Sequence, residues 1–278
     1  ISLHPITSKE EMTTTYTKEE VILKAENISM QYDKLILRDV NFEMHNIVRP
    51  GMNQGQVLSL IGRSGIGKTQ LFKILAGLIQ PTTGTVKIGV QQQQVKAGDV
   101  GVVPQNYILF NHRTIMQNLE QGIANARVKK SAKEQEEMVK EYAAHFDLTD
   151  HLKKYPMQLS GGQRQRVSIL QQVLTGNHFI LLDEPFSGLD ALVIDRVVEL
   201  LLKVSTLDEL NTLVIISHDI ENSLAISDSA FVLAKEKDKE GATITQKLDL
   251  IQMGLAWDPE IRTKKPFIEL VNQIKYML

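Results

Sequence analysis

The stretch VLSLIGRSGIGKT, Val57 to Thr69, passes from an apolar run straight into a glycine-rich loop. VLSLI lacks the polar alternation of a half-exposed strand and reads as a strand covered on both faces of a parallel sheet. After the loop, Leu71, Phe72, Ile74, Leu75 and Leu78 recur at helical spacing until Gly77, Pro81 and Gly84 interrupt them. Strand, loop and helix in this order give G-x-x-x-x-G-K-[ST] its required context. The glycines let backbone amides wrap a β-phosphate, and the helix N-terminus adds a favourable partial charge. Lys68 is placed to reach the β- and γ-phosphates and Thr69 to offer a hydroxyl to Mg²⁺. The pattern predicts a nucleotide site built from Gly62, Arg63, Ser64, Gly65, Ile66, Gly67, Lys68 and Thr69, with Gln70 next in line.

The same alternation of strand and helix extends outward. FILLD (179–183), the periodic ALVIDRVVELLLKV (191–204) and TLVIISHD (212–219) predict further α/β units. Ahead of the loop, Val21 to Met30 and Leu35 to Met44 alternate as half-buried strands around QYDK, an antiparallel opening. Between Thr114 and Tyr155, Ala, Lys and Glu replace β-branched runs, which predicts an inserted helical subdomain over about 106–163. QQQQ at 91–94 reads as a solvated hairpin end. Residues 236–278 read as an extension: AKEKDKEGATITQKLDL as a charged hairpin, then FIELVNQIKYML as an amphipathic helix. The polar first residues, 1–19, are expected to be a poorly ordered leader.

Composition narrows the function classes. The chain has 278 residues, 42% of them hydrophobic and 23% charged, which is enough to bury a proper core. A net charge of −2 supplies no general pull on polyanions, so no nucleic-acid partner is expected. With no cysteine there is neither a disulfide nor a thiolate metal site. The longest apolar runs are far too short to cross a bilayer, so a membrane role requires spanning segments from another chain.

FILLDEP ends a buried strand in two carboxylates. On their own they read as a helix-capping or solvated loop pair; beside the glycine loop they become the second half of a phosphoryl-transfer site. Asp183 is then the Mg²⁺ ligand and Glu184 the general base that polarises the attacking water. His218, in ISHD at another strand end, is placed to contact the γ-phosphate or that water. The other histidines (His4, His45, His112, His145, His151 and His178) read as ordinary polar residues.

GRSGIGKT, Gln105 in VVPQNY, LSGGQ at 159–163, FILLDEP, SGLD at 187–190 and ISHD stand in the order and approximate spacing of the ATP-binding-cassette (ABC) ATPases. The chain resembles that family over roughly residues 20–235, and LSGGQ together with both nucleotide motifs is a specific combination. The resemblance implies an α/β fold with a P-loop NTPase core, an antiparallel β subdomain and an inserted α-helical subdomain. It implies that Tyr32 stacks on adenine, where the residues alone also allow a tyrosine packing on a strand neighbour. Gln105 then joins the Mg²⁺ and water site to the helical subdomain. Ser160, Gly161, Gly162 and Gln163 form the signature loop, Asp190 belongs to the loop that crosses a dimer interface, and His218 is the switch histidine.

In that family two cassettes pair head to tail, and the signature loop of one closes over ATP held by the other. The implied function is an ATP-hydrolysing subunit that powers a membrane transporter, with ATP and Mg²⁺ as cofactors. Its implied partners are a second copy or a paralogous ABC subunit and transmembrane permease subunits, and its place is peripheral, on the cytoplasmic face of the membrane. The LFNHRTIMQNL insertion fits an importer, and the tail loosely resembles nitrate, sulfonate and taurine importer ATPases. The alternative is a soluble ABC ATPase of DNA repair or translation, but the long coiled coil or second cassette of such relatives is missing. The sequence departs from the family at Gln70, at SILQQVLTG after the signature, and at NHRT (111–114), none of which removes a catalytic group.

Overall fold

Two strands set the centre of the molecule. β3 (Gln56–Ile61) and β8 (Thr212–Ser217) are buried at every position, as an apolar run enclosed by layers on both sides must be. The computed structural model describes residues 16–48, 55–124, 126, 130–189, 191–207, 211–256, 258 and 260–278.

β3 pairs in parallel with β8 and with β9 (Ser229–Lys235), and β8 pairs in parallel with β7 (Phe179–Asp183), which leads to β6 (Gly101–Val103). Four further strands, β1 (Thr17–Gln31), β2 (Leu35–Val48), β4 (Thr83–Ile88) and β5 (Gln93–Gln94), pair antiparallel. β10 (Ala242–Asp249) pairs antiparallel with β9 and touches β2 in parallel at Ala242↔Leu37. The result is one mixed sheet in the order β5-β4-β1-β2-β10-β9-β3-β8-β7-β6. The antiparallel strands are therefore joined to the parallel core through the Ala242 bridge, a non-local pair that residue alternation cannot reveal.

The period of two along the strands sorts the core. Val214 and Ile216 of β8 join Leu58, Leu60 and Leu181 beneath α1 (Lys68–Leu75), while Leu213 and Ile215 join Val57, Ile180 and Leu182 on the opposite face. That second face is covered by α2 (Ile115–Ala124), α3 (Ala132–His145), α4 (Gly161–Val173) and α5 (Ala191–Thr206). α6 (Ile220–Ile226) and α7 (Lys265–Met277) close a third cluster around Ile61, Phe267 and Val271.

Boundaries differ from the sequence reading where backbone pairing rather than hydropathy decides. β1 begins at Thr17, inside the segment expected to be a leader, because Thr17 and Lys18 pair with Val48 and Ile47 although residues 17–20 are exposed. Residues 1–15 lie outside the described residues. Gln93 and Gln94 pair with β4 instead of forming only a loop tip. The unusual Gln171 and Gln172 each tie α4 to a neighbour: Gln171 Nε2 donates to the Asn118 carbonyl of α2 at 2.8 Å, and Gln172 Oε1 accepts from the Val102 amide of β6 at 3.2 Å.

Candidate nucleotide-binding site

Strand register brings three loops together. Ile61 lies opposite Ser217, and Asp183 opposite Ile216, so β3, β7 and β8 end side by side. Ligand sites of parallel sheets lie beyond such carboxyl ends. A cleft of about 480 Å³ opens there, with Lys68, Thr69, Asp183, Glu184 and His218 in its wall. Tyr32 and Gln105 reach it from β1's end and from the loop after β6.

The glycine loop has the backbone of an anion cradle. Gly65 (φ 76°) and Gly67 (φ 115°) are both left-handed, a conformation that turns successive amides toward one point and disfavours side chains. At Gly67 a Cβ would also meet Ile36 Cγ2 at 3.0 Å. Ser64, Gly65, Gly67, Lys68, Thr69 and Gln70 line the cleft. Gly62, Arg63 and Ile66 do not: the first two turn their carbonyls onto Lys68, and Ile66 packs against the core.

Lys68 is 6% exposed and its ammonium is fully engaged. Nζ donates to the carbonyls of Gly62 at 2.8 Å and Arg63 at 3.0 Å, and stands 3.2 Å from Glu184 Oε1. The other carboxylate oxygen of Glu184 accepts from Ser217 Oγ (3.1 Å), the His218 amide (3.1 Å) and His218 Nδ1 (2.7 Å). Burial pushes the Glu184 carboxyl up, but the His218 amide and the Lys68 charge outweigh it and hold the group below its ordinary range. Glu184 itself has φ 52°, a strained backbone for a side chain of this size and a common mark of a functional position.

Asp183 shows the opposite balance. Burial and then the neighbouring Glu184 charge push its carboxyl up, with Lys68 and Lys73 opposing. A divalent cation would relieve that destabilised charge. The oxygen donors of Asp183, Thr69 and Gln105 share the cleft and suit a hard cation such as Mg²⁺. No group of three or more His, Cys, Asp or Glu with metal-holding geometry occurs among the described residues.

Tyr32 is 55% exposed at the mouth of the cleft, and its hydroxyl donates to Gln70 Oε1 at 3.2 Å. More than half of its surface is open at that mouth. Two further cleft residues, Ile36 and Ser187, escape the sequence reading. Ser187 opens the SGLD motif and accepts from Gln105 Nε2 at 3.2 Å, whereas Ile36 sits in an ordinary alternating strand and carries no signal.

The signature residues lie elsewhere. Ser160, Gly161, Gly162 and Gln163 line a separate cavity of about 290 Å³ with Gly188, Leu189 and Arg196. Ser160 caps α4, accepting from the Gln163 amide at 3.3 Å, while Gln163 Oε1 accepts from the Ser160 amide at 2.9 Å. Among the described residues neither glycine is forced by packing: a Cβ on Gly161 would meet none of them within 4 Å, and one on Gly162 would meet Val193 at 3.6 Å. Asp190, the expected interface aspartate, lies outside the described residues.

Residues 46–187 match the family model of the ABC transporter. Over 236 residues, 82% of this chain and 65% of the relative, the sequence is 34% identical to the sulfate/thiosulfate import ATP-binding protein CysA 1 of Agrobacterium fabrum. It is 32% identical to the bicarbonate transport ATP-binding protein CmpD of Synechocystis over 76% of this chain and 73% of that one. The matched part of the chain thus spans just under two-thirds of the CysA relative's length. Among solved structures, the dimeric bacterial ABC transporter cassette MJ0796 superposes with a TM-score of 0.67 at 26% identity, covering 82% of this chain and 99% of that one. Fold, motif order and sequence agree, and the chain belongs to the ABC transporter family.

Proposed function

We propose that the chain is an ATP-binding and ATP-hydrolysing subunit that powers membrane import, working as a head-to-tail pair. One observation carries this reading. Lys68, Thr69, Asp183, Glu184 and His218 share one cleft, while the signature loop faces a different cavity with two glycines that no packing contact among the described residues requires. Glycines without an internal reason suit close approach by a ligand held on another chain, and α4's N-terminus favours an anion there. The relatives named for sulfate and bicarbonate transport, and the dimeric state of the MJ0796 cassette, support it.

The residues then divide the work. The Gly65 and Gly67 amides hold the β-phosphate, and Tyr32 stacks on adenine. Lys68 exchanges Glu184 for the phosphate oxygens. Glu184, released from Lys68 but still held by His218 and Ser217, accepts a proton from the attacking water. Thr69, Gln105 and Asp183 would hold Mg²⁺, which would supply neutralisation of charge on the phosphate oxygens.

Permease subunits are the proposed partners, since no helix among the described residues is long and apolar enough to cross a membrane. Exposed Ile108 and Phe110 on one segment and Tyr155 and Met157 on another offer an apolar docking surface. The Ile115 amide bonds to the Lys154 carbonyl at 2.8 Å and the Met116 amide to the Leu152 carbonyl at 2.9 Å, which holds the two segments together.

Lys68→Ala tests the site: ATP hydrolysis by the purified protein is expected to fall by about a hundredfold or more. Turnover equal to the unmodified protein rejects the assignment.

A further inference from the structure

The segment after β10 returns to the back of the site. α7 buries Phe267 and Ile274 against Leu224 of α6 and against Ile61, the last residue before the glycine loop. Just ahead of α7, Arg262 lies in a short turn, Ile261–Thr263, and its guanidinium bridges two helices. Nη1 donates to Asp195 Oδ1 on α5 at 2.8 Å, and Nη2 donates to Asn222 Oδ1 on α6 at 2.6 Å. The planar guanidinium sets a separate nitrogen against each acceptor, a spacing that the single nitrogen of a lysine does not reproduce.

The α6 end of this bridge is continuous with the catalytic carboxylate. Asn222 Nδ2 donates to Asp219 Oδ2 at 2.8 Å, and the Asn222 amide to Asp219 Oδ1 at 3.0 Å. The Asp219 amide donates to Ser217 Oγ at 3.0 Å, and Ser217 Oγ donates to Glu184 Oε2 at 3.1 Å. His218, between them, contacts the same oxygen. The α5 end lies in the helix that follows the loop carrying Ser187, the partner of Gln105.

We infer that Arg262 is a positioning residue for ATP hydrolysis: by fixing α6 to α5, it keeps segment 217–219, with Ser217 and His218, seated on Glu184. The inference rests on the ATPase reading given above. A purely structural ion pair makes a different prediction. The side chains of Arg262 and Asp195 are 33% and 56% exposed, and pairs so exposed contribute little to stability. Function therefore separates from folding at this position.

The experiment uses the full chain and the variants Arg262→Ala and Arg262→Lys, with thermal unfolding, steady-state ATP hydrolysis and amide hydrogen exchange of residues 217–223 in nucleotide-free protein. In Arg262→Ala, kcat is expected to fall about tenfold through misplacement of Glu184's supports. KM for ATP should stay within about twofold, because the Gly62 and Arg63 carbonyls that hold Lys68 and the Gln70 side chain that meets Tyr32 lie outside the bridge. Exchange at 217–223 should quicken severalfold, with little change in Tm. Arg262→Lys keeps charge and stem but replaces the two nitrogens that meet Asp195 and Asn222 by one, so its kcat should stay low at an unchanged Tm. Unchanged kcat in Arg262→Ala, or full activity in Arg262→Lys, overturns the inference. Should the unmodified chain hydrolyse no ATP, the site reading fails on its own. Exchange then decides the bridge, with unchanged rates in Arg262→Ala overturning it and faster rates sustaining it.

Discussion

Replacing Glu184 by Gln should slow hydrolysis and tighten ATP binding together. Lys68 Nζ stands 3.2 Å from Glu184 Oε1. Two unit charges at that distance attract by about 5 kcal/mol at an effective dielectric of 20. Desolvation of a carboxylate takes back several kcal/mol, leaving a net of about 1–2 kcal/mol that ATP must displace when Lys68 turns to phosphate. The substituted amide keeps the shape and still accepts from His218 and Ser217, but it no longer competes for the ammonium. Binding of Mg-ATP, measured by titration calorimetry, is therefore expected to tighten about tenfold, the equivalent of about 1.4 kcal/mol. Phosphate release should fall by roughly 100- to 10,000-fold with the loss of the general base. Hydrolysis at the unmodified rate would refute the role of Glu184, and weaker ATP binding would refute the competing pair.

Two further outcomes follow from the same geometry. Asp183 has its carboxyl raised above the ordinary value of 3.8, so ionisation penalises the folded state once pH exceeds the unfolded value. Asp183→Asn should therefore unfold at higher temperature than the unmodified chain at neutral pH without Mg-ATP, with the difference closing as pH falls through the raised pKa toward 3.8. An unchanged or lower Tm at neutral pH contradicts the sign. Tyr32→Ala removes an exposed ring at the cleft mouth and should raise KM for ATP by about tenfold while leaving kcat near its original value, as loss of uniform binding does. A fall in kcat with KM unchanged would remove adenine stacking from its role.

The phosphate loop is legible in the sequence because chemistry and backbone geometry demand the same residues: Gly67, which the motif fixes, sits at positive φ, as does Gly65 between the motif's two glycines. The buried strands are legible because both faces of β3 and β8 are covered, so apolar side chains run almost without interruption. Elements set by distant pairing are not. β1 starts in polar Thr17 because Val48 is there to pair with it, and β10 joins the sheet to β2 through Ala242. The bridge from Asp195 through Arg262 to Asn222 links residues 67 and 40 positions apart, and no periodicity marks it. For the signature loop the sequence supplies the residues, and the structure supplies the reason to look outside the chain: among the described residues its glycines meet only Val193.

That composite site is the central claim, and complementation tests it most directly. Lys68→Ala chains lack a phosphate ligand but keep an intact signature loop; Ser160→Arg chains keep Lys68 but block the loop. Each variant alone should be nearly inactive. Mixed in equal amounts, they should recover roughly a quarter of the unmodified ATPase rate, because half of randomly paired dimers are mixed and each holds one intact site of two. Mixed dimers that form, as shown by differential tagging, yet hydrolyse no more ATP than either variant alone would contradict the account.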